Sequence, residues 1–254
     1  MNTLIKIVAM GLAVAACLTQ AGIVYAAEIK LLSSTAIRGA LIELGQQFES
    51  ATGHRLVTEY DVFAVLKRKI DAGDTFDVAI LSPALIDDLI KQGKMAADTR
   101  ATVGRTGVGV AVRVGASKPD ISSVEAFKRT LLDVKSVGYP KGGASGAHFL
   151  SVLDRLGIAE EMKPKLKPFE GAGPPVQAFA AGEPELVVSG TSLVPTMPGA
   201  EPVGGFPAEL QAYIVFTAAV SSTAKQPEAA KALIQFLTAP AALPVLKAKG
   251  LEPG

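Results

Sequence analysis

From residue 28 onward, apolar and polar positions alternate between two periods, and the alternation predicts strands and helices in turn. Glu28-Ile-Lys-Leu-Leu32 predicts a short strand that runs into Ser33-Ser34-Thr35. Ile37, Leu41, Leu44 and Phe48 then recur at helical spacing, and Gly53 closes that helix. Arg55–Tyr60 predicts the next strand, followed by a short helix on Val62, Val65, Leu66 and Ile70 that stops at Ala72-Gly73. Asp77–Leu81 is a near-continuous apolar run, the pattern of a strand buried on both faces. A helix with Leu85, Ile86, Leu89 and Ile90 follows it. Three strand–helix units in a row argue an α/β protein with a parallel sheet covered on both sides.

The second stretch continues the theme with looser spacing. Gly107–Arg113 is strand-like, and Ser122 with Glu125 reads as a capping box opening a helix over Val124–Leu132. Val137-Gly-Tyr leads into Lys141-Gly-Gly-Ala-Ser-Gly146, which opens a helix bearing Phe149, Val152, Leu153 and Leu156. Pro174-Pro175 predicts the start of a helix through Ala181. Glu185–Val188 predicts a strand ending in Ser189-Gly190-Thr191-Ser192, and the Pro/Gly-rich residues beyond it read as loop. Tyr213–Thr217 is a further strand, Pro227 opens a helix on Ala230, Leu233, Ile234 and Leu237, and a last helix runs from Pro240 to Lys249. No stretch reads as a flexible linker. Two lobes, if present, must therefore be joined by strands, with 107–113 and 213–218 as the candidates.

The first 26 residues do not fit this alternation. Lys6 is their only charge, an apolar run follows it, and Val24-Tyr25-Ala26 places small residues where a signal peptidase cuts. The segment is read as an export signal, which places the protein in the periplasm. Two alternatives stay open: an uncleaved anchor, and a lipid attached at Cys17 after Val14-Ala15-Ala16. No apolar run of about 18 residues recurs beyond Ala27, so a multi-span protein is excluded.

Composition narrows the function classes. The chain has 254 residues with 25 basic and 24 acidic side chains, and so lacks the field of a general nucleic-acid binder. Lys6 supplies the surplus charge and Cys17 is the sole cysteine, so cleavage after Ala26 leaves a neutral chain without disulfides. Two histidines and that cysteine offer little for a metal site, and none is expected.

Three segments share one arrangement, a strand followed by a hydroxyl- or glycine-rich turn: Ser33-Ser34-Thr35, Gly142–Gly146 and Ser189–Ser192. The carboxyl ends of parallel strands are where open α/β sheets bind ligands. A helix N-terminus offers unpaired N–H groups, hydroxyls add donors, and glycine lets the backbone approach. Together they describe a neutral cradle for an anion, although each serine or threonine also suits a plain helix cap. Arg38 lies one position off the apolar stripe, near the first turn, and is read as a surface residue; so is the cluster Lys67-Arg68-Lys69. Catalysis finds less support. Gly143-Ala-Ser-Gly-Ala147 misses the final glycine of a nucleophile elbow, His54 and His148 read as surface or capping residues, and there is no phosphate-loop or zinc-helix motif. No enzyme is expected and no cofactor is implied; a hydrolase using Ser145 is the competing reading.

Five stretches carry a family resemblance: Leu32-Ser-Ser-Thr-Ala36; Lys69–Asp74 with Phe76–Pro83; Ala144-Ser-Gly146; Leu153–Ile158; and Ala248–Pro253. In order and spacing the chain resembles the substrate-binding proteins of bacterial ABC importers, the molybdate-binding type in particular. The resemblance implies a two-lobed type II periplasmic-binding fold with two strand crossovers, each lobe a mostly parallel sheet flanked by helices. Lobe one would comprise 28–107 and 218–254, and lobe two 108–217, closing on the ligand by a hinge. It implies a monomer that hands a molybdate- or tungstate-like oxyanion to an ABC permease in the inner membrane. A small organic acid is the alternative ligand, and a periplasmic sensory or accessory role the alternative task. The implied contacts are Ser33, Ser34, Thr35, Ala64, Ala144, Ser145, Gly146, Ser189, Gly190 and Thr191. Two positions depart from the molybdate pattern: Phe63-Ala64-Val65 replaces a serine-rich turn, and Ser189 stands where a tyrosine is common. A hydroxyl lost beside a buried oxyanion costs about 1–3 kcal/mol.

Overall fold

The structure is a computed structural model that describes residues 26–170, 178–179 and 181–253. The export segment with Cys17, and the helix expected from Pro174-Pro175, fall outside those residues or largely so. Within them the predicted alternation is present. Strand β1 (Glu28–Ser34) precedes α1 (Arg38–Thr52), β2 (Arg55–Asp61) precedes α2 (Phe63–Asp71), and β3 (Val78–Leu81) precedes α3 (Pro83–Lys91). In α1 the spaced residues Leu41, Leu44 and Phe48 are buried, and Gly53 ends the helix at φ 74°, donating its N–H to the Glu49 carbonyl at 2.9 Å. All four β3 side chains are fully buried, each worth about 1.5–3 kcal/mol of transfer free energy if large.

The second half begins with β4 (Ala101–Arg113), then α4 (Val124–Asp133), β5 (Val137–Pro140) and α5 (Ala144–Arg155). After the short α6 (Ala159–Met162) come β6 (Leu166–Phe169), β7 (Leu186–Gly190), β8 (Ala200–Gly205) and β9 (Tyr213–Val220), and α7 (Pro227–Thr238) and α8 (Leu243–Ala248) close the chain. The strands form one sheet in the order β2-β1-β3-β9-β4-β7-β5-β6, with β8 also on β4. The pairs β1–β2, β1–β3, β5–β6 and β5–β7 are parallel. Every antiparallel pair involves β4 or β9, so the sheet is mixed rather than mostly parallel. The physical reason lies in β4. Its residues Ala101–Gly107 pair with β9, and from Val108 onward it pairs with β7. One strand thus runs through both halves of the sheet, opposite in direction to β9 on one side and to β7 on the other, while β9 in turn runs opposite to β3.

Each half has its sheet covered on both faces. Ile29, Leu44, Phe48, Phe216 and Leu233 fill one side of the first half, and Leu32, Leu66, Leu81 and Leu89 the other. Val110, Phe127, Phe149 and Val188 form the main core of the second half, with a smaller one around Ala111, Phe179 and Val187. The buried Asp77 carboxylate ties the start of β3 into this frame. It accepts from the N–H groups of Lys30 at 2.8 Å and Lys225 at 2.7 Å, joining β1 to the chain entering α7.

Two local expectations are corrected, and one strand lies where none was expected. The cap of α4 is Ser123, whose Oγ accepts from Ala126 N–H at 3.1 Å, while the Ser122 hydroxyl donates to Asp120 at 2.7 Å. The residues after Ser192 are not all loop, because β8 pairs with β4 across a bulge between Val110 and Ala111. Finally β6, with Lys167-Pro168 at its centre, is a strand that carries no alternation.

Candidate ligand-binding cleft

A cleft lies where the two halves of the sheet face each other at strand ends. Its first wall starts at Ser34, where β1 tightens into the turn Thr35–Ile37. Ser34 Oγ accepts from Ala36 N–H at 3.3 Å, which caps that turn and fixes the oxygen. A hydroxyl also carries a proton to donate, so the capped Ser34 can still serve a ligand. Thr35 and Ala36 continue this wall, and Val62 and Phe63 complete it at the start of α2. Phe63 is held in place by an edge-to-face contact with Phe216, centroids 6.1 Å apart.

The opposite wall is built by backbone. Beyond β5 the chain turns through Gly142, at φ 74°, and α5 starts at Ala144 with no side-chain cap. The first helical hydrogen bond runs from Ala147 N–H to the Gly143 carbonyl at 3.0 Å. The N–H groups of Ala144, Ser145 and Gly146 precede it and have no acceptor inside the helix. Gly146 presses against the end of β5, where a Cβ would stand 2.0 Å from the Pro140 carbonyl oxygen, so only glycine lets the helix begin there. Pro140, Gly143, Ala144 and Ser145 line the cleft from this side, with Gly190 and Leu193 from the end of β7 and Ile214 from β9. Counted out to its open mouth, the cleft holds about 440 Å³ of space not filled by protein atoms.

Of the ten expected contacts, Ser34, Thr35, Ala144, Ser145 and Gly190 line this space together. Ser33 is fully buried beneath the first wall, and Gly146 is buried against Pro140. Ala64 is exposed, and its neighbours Val62 and Phe63 take the wall instead. Ser189 is fully buried, and among the described residues its hydroxyl has no hydrogen-bond partner. Thr191 turns away to Thr106, the two hydroxyl oxygens 3.0 Å apart. The same Thr106 accepts from Ser192 N–H at 3.1 Å, and Ser192 Oγ donates to the Ala36 carbonyl at 2.8 Å. The third hydroxyl-rich segment thus mainly fastens β7 to β4 and to the first wall. Pro140, Leu193 and Ile214 escaped the sequence reading because only the fold brings them to the cleft.

Among the described residues, no lining side chain is charged. Two cations flank the cleft in the chain: Lys141, 3.6 Å from Glu170, and Arg38, whose guanidinium lies over the Tyr60 ring at 5.3 Å. Burial raises the Tyr60 phenol above its ordinary pKa, while the Thr58 hydroxyl and the Arg38 charge pull it down without cancelling the rise. The site therefore offers N–H and O–H donors on apolar walls of Val62, Phe63, Pro140, Leu193 and Ile214, suited to an anion with a carbon skeleton.

Comparison with known proteins sets this site in context. The chain is 32% identical over 233 residues to an aconitate isomerase of a Pseudomonas species, covering 89% of this chain and 87% of the relative. It is 28% identical over 250 residues to the molybdate-binding protein ModA of Azotobacter vinelandii, covering 96% and 95%. Among solved structures, the Azotobacter vinelandii periplasmic molybdate-binding protein superposes with a TM-score of 0.75 at 19% identity, covering 89% of this chain and 99% of that one. The fold is thus α/β with a mixed sheet, like that periplasmic binding protein. The expectation that the chain is no enzyme is overturned by the first relative, which is one. The model of the bacterial extracellular solute-binding protein family matches residues 29–252, and the chain belongs to that family.

Proposed function

We propose that this chain captures a small organic-acid anion of the aconitate kind between two lobes, 28–107 with 218–254 and 108–217, that close on it by a hinge. One observation carries the choice of ligand class: the polar donors sit at the starts of two helical segments, and the rest of the lining is apolar. A bare oxyanion would leave oxygens facing Phe63, Leu193 and Ile214 unpaired, at about 1–3 kcal/mol for each lost bond. A carboxylate on a short carbon chain puts its oxygens on the Ala144–Gly146 N–H groups and the Ser34 hydroxyl. Its carbons then lie on the apolar wall.

The captured acid has one of two fates. Isomerisation is favoured by the 32% identical relative, an aconitate isomerase. It leaves composition and oxidation level unchanged, so its stoichiometry requires no redox partner. Delivery to an ABC permease in the inner membrane is the role that membership of a solute-binding family supports. Either fate places the mature chain in the periplasm after cleavage at Ala26, or tethered there through Cys17.

The test is a melting panel with aconitate, citrate, molybdate, tungstate and sulfate, followed by an ultraviolet assay of the aconitate isomer ratio. Aconitate at one hundred times its Kd stabilises by about 2.7 kcal/mol. A shift with molybdate and none with any carboxylate sinks the organic-acid reading. Bound aconitate whose isomer ratio never changes leaves delivery as the fate.

A further inference from the structure

Arg38 stands at a place that the cleft lining does not use. It begins α1, directly after the turn whose Thr35 and Ala36 form the first wall. Its guanidinium lies 5.3 Å from the centroid of the Tyr60 ring. Tyr60 is the penultimate residue of β2, paired with Ser33 across β1–β2, and Val62 two residues later is already in the cleft. Cation and ring therefore occupy the same carboxyl-terminal edge of the sheet as the bound anion would. Among the described residues Arg38 makes neither an ion pair nor a hydrogen bond, and its side chain is exposed. Lys141 on the other side has the neighbouring Glu170 carboxylate to neutralise it. The ring leaves the guanidinium N–H edge available, because a cation–π stack occupies the face of the plane and not its donors.

We infer that the ligand carries at least two carboxylates, and that Arg38, held over Tyr60, takes the outer one as a specificity-determining residue. The inner carboxylate lies on the Ala144–Gly146 N–H groups with the Ser34 hydroxyl. This rests on the organic-acid reading above and narrows it to polycarboxylates. A cleft whose lining bears no charge can hold one carboxylate by local dipoles, but a second or third needs a cation. A planar guanidinium meets a carboxylate with two parallel N–H bonds, which a lysine cannot reproduce.

The experiment compares the full mature protein with Arg38→Gln and Arg38→Lys by calorimetric titration. The probes are aconitate, its saturated analogue propane-1,2,3-tricarboxylate, and the monocarboxylate crotonate. Arg38→Gln is expected to weaken both tricarboxylates by at least about tenfold, with Arg38→Lys recovering only part of that loss. Crotonate binding should stay within about twofold in both variants, since it has no outer carboxylate to lose. Ligand-free melting of the variants serves as the fold check and is expected to match wild type, as for an exposed residue. If wild type binds tricarboxylates and Arg38→Gln binds them equally well, the inference fails while the organic-acid reading stands. If wild type binds crotonate as tightly as aconitate, the polycarboxylate class is wrong. If no carboxylate binds, both fall together.

Discussion

The two walls of the cleft offer an anion the same kind of group by different means. On the first wall the donor is a side chain: Ser34 caps its own turn through Oγ and has its proton left to give. On the second wall the donors are main-chain N–H groups, left without a side-chain acceptor because α5 begins with no side chain capping it. The first wall is thus written in residue identity, whereas the second depends on where a helix is allowed to start. That start is set by Gly146 against Pro140 and by the left-handed Gly142, neither of which donates a side chain to a ligand. Substitutions should therefore act differently on the two walls, and the comparison can be broken by showing that they do not.

Gly146→Ala is the harshest test. A methyl group 2.0 Å from the Pro140 oxygen forces α5 off the end of β5. We expect about 3 kcal/mol of destabilisation in urea unfolding, the upper end for overpacking, together with loss of anion binding. An unchanged midpoint would mean that the helix start is not what fixes the second wall. Ser34→Ala should come next. It removes both cap and donor, so about 1 kcal/mol of stability and about tenfold in anion affinity should go together. Ala144→Pro separates these effects on the other wall. Gly143 is extended at φ −88° and ψ 154°, which suits a following proline, and the first helical position tolerates it. One N–H is lost while the helix remains, so affinity should fall by up to about tenfold with stability within about 1 kcal/mol of wild type. If Ala144→Pro binds as wild type does, the backbone of this wall is not the anion's partner.

The same contrast explains what could be read without coordinates. Ser34, Ser145 and Gly190 were identifiable because turns and helix starts are local chemistry, set by residues next to one another in the chain. Val78–Leu81 and the Leu41–Phe48 stripe were identifiable for a similar reason, since burial period is a local pattern. Strand β8 was hidden because Pro202 and a glycine pair erase alternation, which an edge strand tolerates. The first part of β4 was hidden because Gly104 and Arg105 interrupt its apolar run. Its double pairing, which makes the sheet mixed, is a long-range property that no window reveals. Pro140, Leu193 and Ile214 reach the cleft by that same long-range route. They form the apolar wall on which the proposed organic-acid reading rests.

The smallest effect concerns Tyr60 and tests whether the first wall carries a usable charge. Burial raises this phenol's pKa, and the Arg38 charge holds part of the rise back. Because the folded value lies above the unfolded one, the neutral phenol is favoured in the fold. Its contribution is intact below the unfolded pKa of about 10 and is lost as pH climbs through the higher folded value. Arg38→Gln removes a stabiliser of the tyrosinate, so Tyr60 should titrate at still higher pH. The difference in tyrosinate absorbance between each protein and its Tyr60→Phe counterpart isolates this group from the other tyrosines. A carboxylate bound to Arg38 neutralises the same charge from the solvent side and should shift Tyr60 upward in wild type. That ligand-induced rise should vanish in Arg38→Gln, whereas a ligand that touches only the second wall leaves Tyr60 where it was. Equal shifts in both proteins would mean that Tyr60 responds to closure of the cleft and not to the cation above its ring.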